Sequence, residues 1–268
     1  VLPGFDTETL DDFDEAKIKA FVAAWYDAHV HLGRLSPQQA HEKAEDLQQA
    51  ATRDLGELAA NPMLLTVMAL IHRENVGLPK QRVKLYSRAV QILLTRWQKQ
   101  KGLALSAELA ALLEDERRIR PILELLAYEA HKLQEKAGSG ASLTRKEMIA
   151  ILEQPHHLGS LGLTGEFLEY IDQRAGLLVG EGGGEPGQPP AAYNFPHRSF
   201  QEYLAGCYMV SGRFPDRNFW PHMDSSDYWY LAAELGSEEL LYNNPQWQPL
   251  FLNLAYALSP ESAPRRGA

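Results

Sequence analysis

Residues 195–205 read FPHRSFQEYLA, and the way this stretch is entered and left decides the fold. Phe200, Tyr203, Leu204, Cys207 and Tyr208 recur at three- and four-residue steps, the spacing of one apolar stripe on a helix. Upstream stand Leu177-Leu178-Val179, then GEGGGEPGQPPA, then Ala192-Tyr193-Asn194-Phe195. Two short apolar runs around a Gly/Pro-rich segment predict a β-hairpin whose loop is longer than a tight turn. Before the hairpin, Phe167, Ile171, Ala175 and Leu178 mark another helical face. Thr144-Arg145-Lys146-Glu147 predicts a capping box, because Thr144 can accept from the backbone N–H three residues on while Glu147 reaches back.

The same reading extends to both ends. Ile119, Ile122, Leu126, Ala130 and Leu133 share a helical face, with Pro121 leaving the start of that helix open, and Gly138-Ser139-Gly140 reads as a turn. Pro79 is expected to open a long helix carrying Val83, Tyr86, Val90, Leu93 and Trp97, which Gly102 ends. Asn61-Pro62 reads as N-cap and first helical residue before Met63–His72, a segment apolar on nearly every side and therefore buried. Ser36-Pro37 repeats the signal before a polar helix to about Arg53. Ile18, Phe21, Val22, Trp25 and Tyr26 form a stripe with Asp14 as N-cap, and Thr7–Phe13 is expected to be a strand leading into it. Trp220, Trp229, Trp247, Leu250 and Leu254 fit two or three more packed helices. Helix, helix, helix, hairpin, helix is close to winged-helix order. The expected class is mainly α: a helical bundle, then a winged-helix domain with a small β-hairpin, then further C-terminal helices.

Composition sets the outer bounds. The chain has 268 residues, with 26 Lys+Arg against 35 Asp+Glu and a formal net charge of −9. That balance argues against a surface built as a cation for nucleic acid or anionic membrane. Hydrophobic residues make up 45%, enough for packed cores, and the length suggests about two domains. Cys207 is the only cysteine, which excludes an internal disulfide and any multi-cysteine metal site. A reducing, cytoplasmic compartment is the matching expectation. The longest apolar stretches, near Met63–Ile71 and Ala89–Leu94, fall far short of the roughly 18–20 residues that span a bilayer, so no membrane association is expected. The chain opens VLPGFDTETL without an initiator Met and closes SPESAPRRGA, so both ends read as cuts in a longer protein.

Most motifs that could carry chemistry fail on their partners. Gly180–Gly187 lacks the Lys and Ser/Thr of a phosphate loop, and Glu181 and Glu185 would repel phosphate. His29 and His31 are two apart, His41-Glu42 meets Glu45 where a second metal ligand would stand, and His156-His157 has no third ligand nearby. Each is expected to be a surface histidine, and Cys207 a core residue. No metal site is expected. Between Pro79 and Gly102 stand seven bases (Lys80, Arg82, Lys84, Arg88, Arg96, Lys99, Lys101) and no acid. Such a run reads as a solvated face, or as a face for an acidic partner or phosphate groups.

Two strings go beyond periodicity. Asn61-Pro62-Met63-Leu64-Leu65-Thr66, followed by Leu78-Pro79 and Leu85-Tyr86, resembles the helical segment after the nucleotide-binding core of NACHT-type P-loop signalling ATPases, the STAND or NLR-like class. Phe195 to Ala205 resembles that family's winged-helix signature, F-x-H-x-[ST]-F-Q-E-[FY]-x-A. The opening residues 2–26 resemble the hand-over from the core's last strand to the first lid helix, and order and spacing agree to about residue 212.

The resemblance implies the end of the nucleotide-binding core at 1–13, a helical lid at 14–102, a winged-helix domain at 103–213 and the start of a further helical domain at 214–268. It implies a parent that closes over ADP or ATP, with Mg bound mainly by Walker A and B motifs N-terminal to Val1, and that couples nucleotide state to assembly. The partner is then the parent's own nucleotide-binding core, with homo-oligomers on activation, in signalling of the innate-immune or antiviral-defence kind. Alone, the chain is not expected to hydrolyse ATP, and no catalytic residue is assigned. Pro62 matches the lid proline that packs on adenine, although a proline there also simply starts a helix. His197 matches the winged-helix histidine on the ADP β-phosphate, although it also stands at a helix start; a nearby dianion would favour its charged form. The basic segment 80–101 departs from the family, which carries acids there.

Two other classes compete. Winged helices also bind DNA, but the segment where a recognition helix would fall, TGEFLEYIDQRA, sets Glu166, Glu169 and Asp172 against Arg174 alone, which argues against nucleic acid. A purely structural helical scaffold is the third reading.

Overall fold

The computed structural model describes residues 12–53, 55–73, 77–99, 105–138, 140–155, 157–174, 178–182, 188–213 and 227–244. Contacts divide the chain into two units, Val1–Ala89 and Val90–Ala268.

In the first unit Asp14 caps α1 (Glu15–His31), its carboxylate accepting from the Lys17 N–H at 2.7 Å. The strand expected over 7–13 lies mostly outside the described residues. Asp12 and Phe13 are not in a strand, and the Phe13 N–H donates to the Ala60 carbonyl at 2.7 Å. α2 (Pro37–Arg53) starts where Ser36-Pro37 placed it and turns Ala40, Ala44, Leu47 and Ala51 inward. Four apolar residues at three- and four-residue steps make a narrow stripe, which suits a helix lying on its neighbours by one edge. The short α3 (Gly56–Ala59) leads to α4 (Pro62–Arg73), which is buried from Val67 to His72 without a break. Its all-round apolar sequence makes it the unit's central helix, as expected.

The helix expected to open at Pro79 begins later, as α5 (Arg82–Lys99). The first helical hydrogen bonds run from the Lys84 and Leu85 N–H groups to the Gln81 carbonyl, so Pro79 lies in the approach and does not occupy the first turn.

The second unit holds the hairpin. After α6 (Ala107–Glu114), α7 (Glu116–Ala137) begins at an Asp115 cap and contains Pro121. Pro121 lacks the N–H that would donate to the Arg117 carbonyl one turn back. The helix tolerates this because Arg117 is exposed and water can take the donor's place. β1 (Leu143–Thr144) then pairs antiparallel with β3 (Ala192–Asn194), which pairs antiparallel with β2 (Val179–Glu181), giving the order β1-β3-β2. α8 (Arg145–Leu152) starts at Thr144 with the capping box in place, and α9 (Leu161–Arg174) precedes β2. The series α7-β1-α8-α9-β2-β3 is a winged helix. The hairpin is legible in the sequence; β1 is not, because two residues carry no period.

α10 (Arg198–Val210) follows, and every residue from Phe200 to Met209 is buried. It packs between α7 and α11 (Asp227–Tyr242), and Trp229 of α11 is 1% exposed. The other residues expected to build the C-terminal helices (Trp220, Trp247, Leu250 and Leu254) lie outside the described residues. No helix among the described residues is long and apolar enough to cross a membrane.

Candidate functional site

His197 occupies the N-cap of α10 with extended backbone (φ −120°, ψ 107°), and its side chain makes no capping bond. Its carbonyl accepts from Phe200 and Gln201 N–H at 3.1 and 3.3 Å, which starts the helix without the ring. The imidazole is half-buried, and burial lowers its pKa below the ordinary value. It is therefore neutral near pH 7, with one N–H to donate and one ring nitrogen to accept. A dianion beside it would act against the effect of burial.

The neighbour Arg198 faces elsewhere. Its Nε donates to the Glu202 carboxylate at 2.9 Å, and its guanidinium lies 4.9 Å from the centre of the Tyr228 ring. Burial raises the Glu202 carboxyl while Arg198 lowers it. Tyr228 also stacks on His131 at 4.3 Å, and His131 Nε2 lies 3.1 Å from the Tyr228 carbonyl oxygen. That bond fixes Nε2 as the protonated nitrogen, and Nδ1 then accepts from the Gln201 amide at 3.3 Å. Desolvation lowers the His131 pKa to about 4.

A second cluster lies further along the same helices. Arg120 of α7 reaches Glu124 at 2.9 Å, the Tyr203 hydroxyl at 2.8 Å, Glu239 at 3.5 Å and the Cys207 sulfur at 3.8 Å. Arg213 pairs with the other oxygen of Glu124, and the Tyr203 hydroxyl donates to Glu239 at 2.9 Å. Two buried carboxylates are balanced by two guanidinium groups across α7, α10, α11 and the residues leaving α10. Cys207 is buried and burial raises its thiol pKa, so it is a core residue and not a nucleophile, as expected. The sequence held no signal for this cluster, since Arg120 lies 119 positions before Glu239 and nothing in helical spacing pairs them.

Pro62 belongs to the first unit. It is half-buried at the first position of α4, where the Asn61 carboxamide oxygen accepts from Met63 and Leu64 N–H at 3.0 and 3.2 Å. The cap is therefore supplied by Asn61, and the proline ring is left to present an apolar face. Deeper in this unit, the Tyr26 hydroxyl lies 2.6 Å from His72 Nδ1, and His72 Nε2 lies 2.9 Å from Asp46. Both rings are buried and the Asp46 end is exposed, so the chain Tyr26–His72–Asp46 ties α1, α4 and α2 together.

Of the histidines expected at the surface, His31 and His41 are exposed, and His41 pairs with Glu45 at 3.4 Å on α2. His29 is a correction: it is 6% exposed and not on the surface, because the α1 stripe through Val22 and Tyr26 continues through it. His157 is half-buried, and His156 lies outside the described residues. Of the seven bases in 79–102, Lys80 and Lys84 are exposed, Arg82 and Arg88 are half-buried, and the side chains of Arg96, Lys99 and Lys101 lie outside the described residues. On α9, both Glu166 oxygens are engaged by Ser106, from its N–H and its hydroxyl at 2.6 Å each. Glu169 is exposed, and the side chains of Asp172 and Arg174 lie outside the described residues.

A family model described as the winged helix-turn-helix domain C-terminal to NACHT matches residues 82–209. No curated protein matches the chain.

Proposed function

From the membership of residues 82–209 in the winged helix-turn-helix domains C-terminal to NACHT, which makes the chain part of a NACHT protein with a NACHT region as its N-terminal partner, we propose that it is the regulatory lid and winged-helix portion of a nucleotide-switched signalling ATPase. In this reading the portion closes over ADP or ATP held by the NACHT region and couples nucleotide state to homo-oligomeric assembly. The observation that carries it is the His197 imidazole: half-buried at the start of a buried helix, with no hydrogen bond from its side chain among the described residues. A half-buried polar ring with no protein partner among the described residues is free to take a ligand.

In this reading each residue stands by itself: His197 would donate to a phosphate oxygen of a nucleoside diphosphate, and the Pro62 ring offers an apolar face of the kind an adenine packs on. The ligand supplies the negative charge that offsets the burial of His197. Walker motifs and Mg belong to the NACHT region in this reading, and the chain holds no catalytic residue. Because His197 reaches phosphate only in the closed state, it shifts the population toward ADP.

The test is ADP retention by the NACHT protein that contains this chain. His197→Ala is expected to release a fluorescent ADP about tenfold faster, the loss of roughly 1.4 kcal/mol of interaction. Release at the wild-type rate would refute the assignment. A winged-helix DNA reader is the less favoured alternative, because Glu166 and the exposed Glu169 put negative charge on the face of α9 that would meet phosphate.

A further inference from the structure

The first turn of α10 meets α11 through Arg198 and α7 through Gln201. His197 and Arg198 are consecutive, and of these two only Arg198 has a side-chain partner among the described residues: Glu202 on its own helix and the Tyr228 ring on α11. Tyr228 is itself held from α7, by the His131 ring at 4.3 Å, by His131 Nε2 at its carbonyl oxygen, and through its hydroxyl to Gln134 at 3.3 Å. Gln201 closes the circuit, donating to Gln134 at 2.8 Å. The ring of Tyr228 therefore stands at the meeting point of three helices and touches the residue next to His197.

The chemistry makes this joint hard to leave half-formed. Glu202 is buried, and if Arg198 moved away its carboxylate would stay in the protein interior without a cation. Arg198 is best held by an aromatic face that leaves its Nε free for Glu202, which is what Tyr228 provides.

We propose that Tyr228 is a positioning residue for the anion site at His197: docking of the first turn of α11 on Arg198 fixes the first turn of α10, and with it the His197 imidazole. This rests on His197 holding an anionic ligand. Coupling of this kind is reciprocal, so the ligand at His197 also strengthens the docking of α11. α11 then reports on the nucleotide through one side chain.

The experiment uses the NACHT protein that contains this chain, with ADP as the probe. Tyr228→Leu is expected to release ADP about tenfold faster, and Tyr228→Phe, which keeps the ring face, to restore retention to within about twofold of the wild type. In the unmodified protein ADP is expected to slow amide exchange at 227–231, and in His197→Ala this protection disappears. Fast release from His197→Ala with wild-type release from a folded Tyr228→Leu protein would overturn the coupling and leave the site standing. Wild-type release from His197→Ala would overturn both. If Tyr228→Leu does not fold, the exchange measurement on the unmodified protein decides: no protection at 227–231 means the proposal is wrong.

Discussion

Gly206 of α10 and Gly236 of α11 meet backbone against backbone. A Cβ on Gly206 would sit 2.8 Å from the Gly236 nitrogen and closer still to the Ala232 carbonyl oxygen, and one on Gly236 would sit 2.7 Å from the Gly206 carbonyl oxygen. All of these neighbours are main chain and cannot step aside as a flexible side chain would. Two glycines let α10 and α11 approach closely, and on the same pair of helices the Tyr203 hydroxyl reaches Glu239 at 2.9 Å.

Gly206→Ala is therefore expected to destabilise the second unit by about 3 kcal/mol, against a gain in helix propensity of about 1 kcal/mol for the same change on an open helix. Denaturant unfolding measures it. An unchanged midpoint would mean that the two helices can part at little cost. Gly165, where an added Cβ would meet nothing within 4 Å, is the control, and alanine there should be neutral or slightly stabilising.

The paired charges at Arg120 make a different prediction. Burial works against the Arg120 charge, but Tyr203, Cys207, Glu124 and Glu239 outweigh it and hold its pKa above the ordinary value. Arg120→Met would leave Glu239 with the Tyr203 hydroxyl and the Asn243 and Asn244 carboxamides but no cation. A loss of about 3 kcal/mol is expected. Glu239→Gln added to Arg120→Met should recover part of it, since an amide oxygen still accepts from Tyr203 without a buried charge. A double variant no more stable than Arg120→Met would show that charge is not the cause.

Much of this fold can be read in the sequence, and the boundary of legibility has a physical cause. Capping and periodicity are local, so Asp14, Ser36, Thr144 and the stripe from Phe200 to Tyr208 mark their elements correctly. Pro79 misleads because proline before a helix and proline inside its first turn leave the same signature. His197 is legible as a residue through its neighbours in FPHRSFQEYLA, whereas its lack of a partner is a fact of three dimensions. Arg120, His131 and Tyr26–His72–Asp46 are illegible because each joins segments far apart in the chain, and the periodicity of one segment says nothing about which distant segment it meets.

On α9, the engagement of Glu166 bears on nucleic acid. Its carboxylate accepts from the N–H and hydroxyl of Ser106, and the same hydroxyl accepts from the Leu109 N–H at 3.1 Å to cap α6. Glu166→Ala should cost about 1 kcal/mol, a modest figure because Ser106 is exposed. The chain is expected to show no salt-dependent affinity for duplex DNA by fluorescence anisotropy. Binding that weakens steeply between about 50 and 200 mM salt would reinstate the DNA-reader alternative.

His131 gives the last prediction, and its sign can be worked out. Its pKa falls from 6.5 to about 4 on folding because burial disfavours the charged ring, with the nearby Arg198 adding to the fall while the Tyr228 carbonyl and Glu135 oppose it. Between pH 6.5 and 4 the unfolded chain holds the proton and the folded chain does not. Stability therefore rises with pH across that window, is complete above pH 6.5, and is about 3 kcal/mol lower at its acid end. Glu202 and Glu239, both raised by burial, act in the opposite direction, since what they contribute is lost as pH rises. Subtracting the profile of His131→Gln from that of the wild type removes the carboxylates common to both. The difference should climb between pH 4 and 6.5 and be flat above, because glutamine can hold the Tyr228 carbonyl without titrating. A flat difference throughout would mean that His131 keeps its ordinary pKa, with water reaching a ring that is 0% exposed.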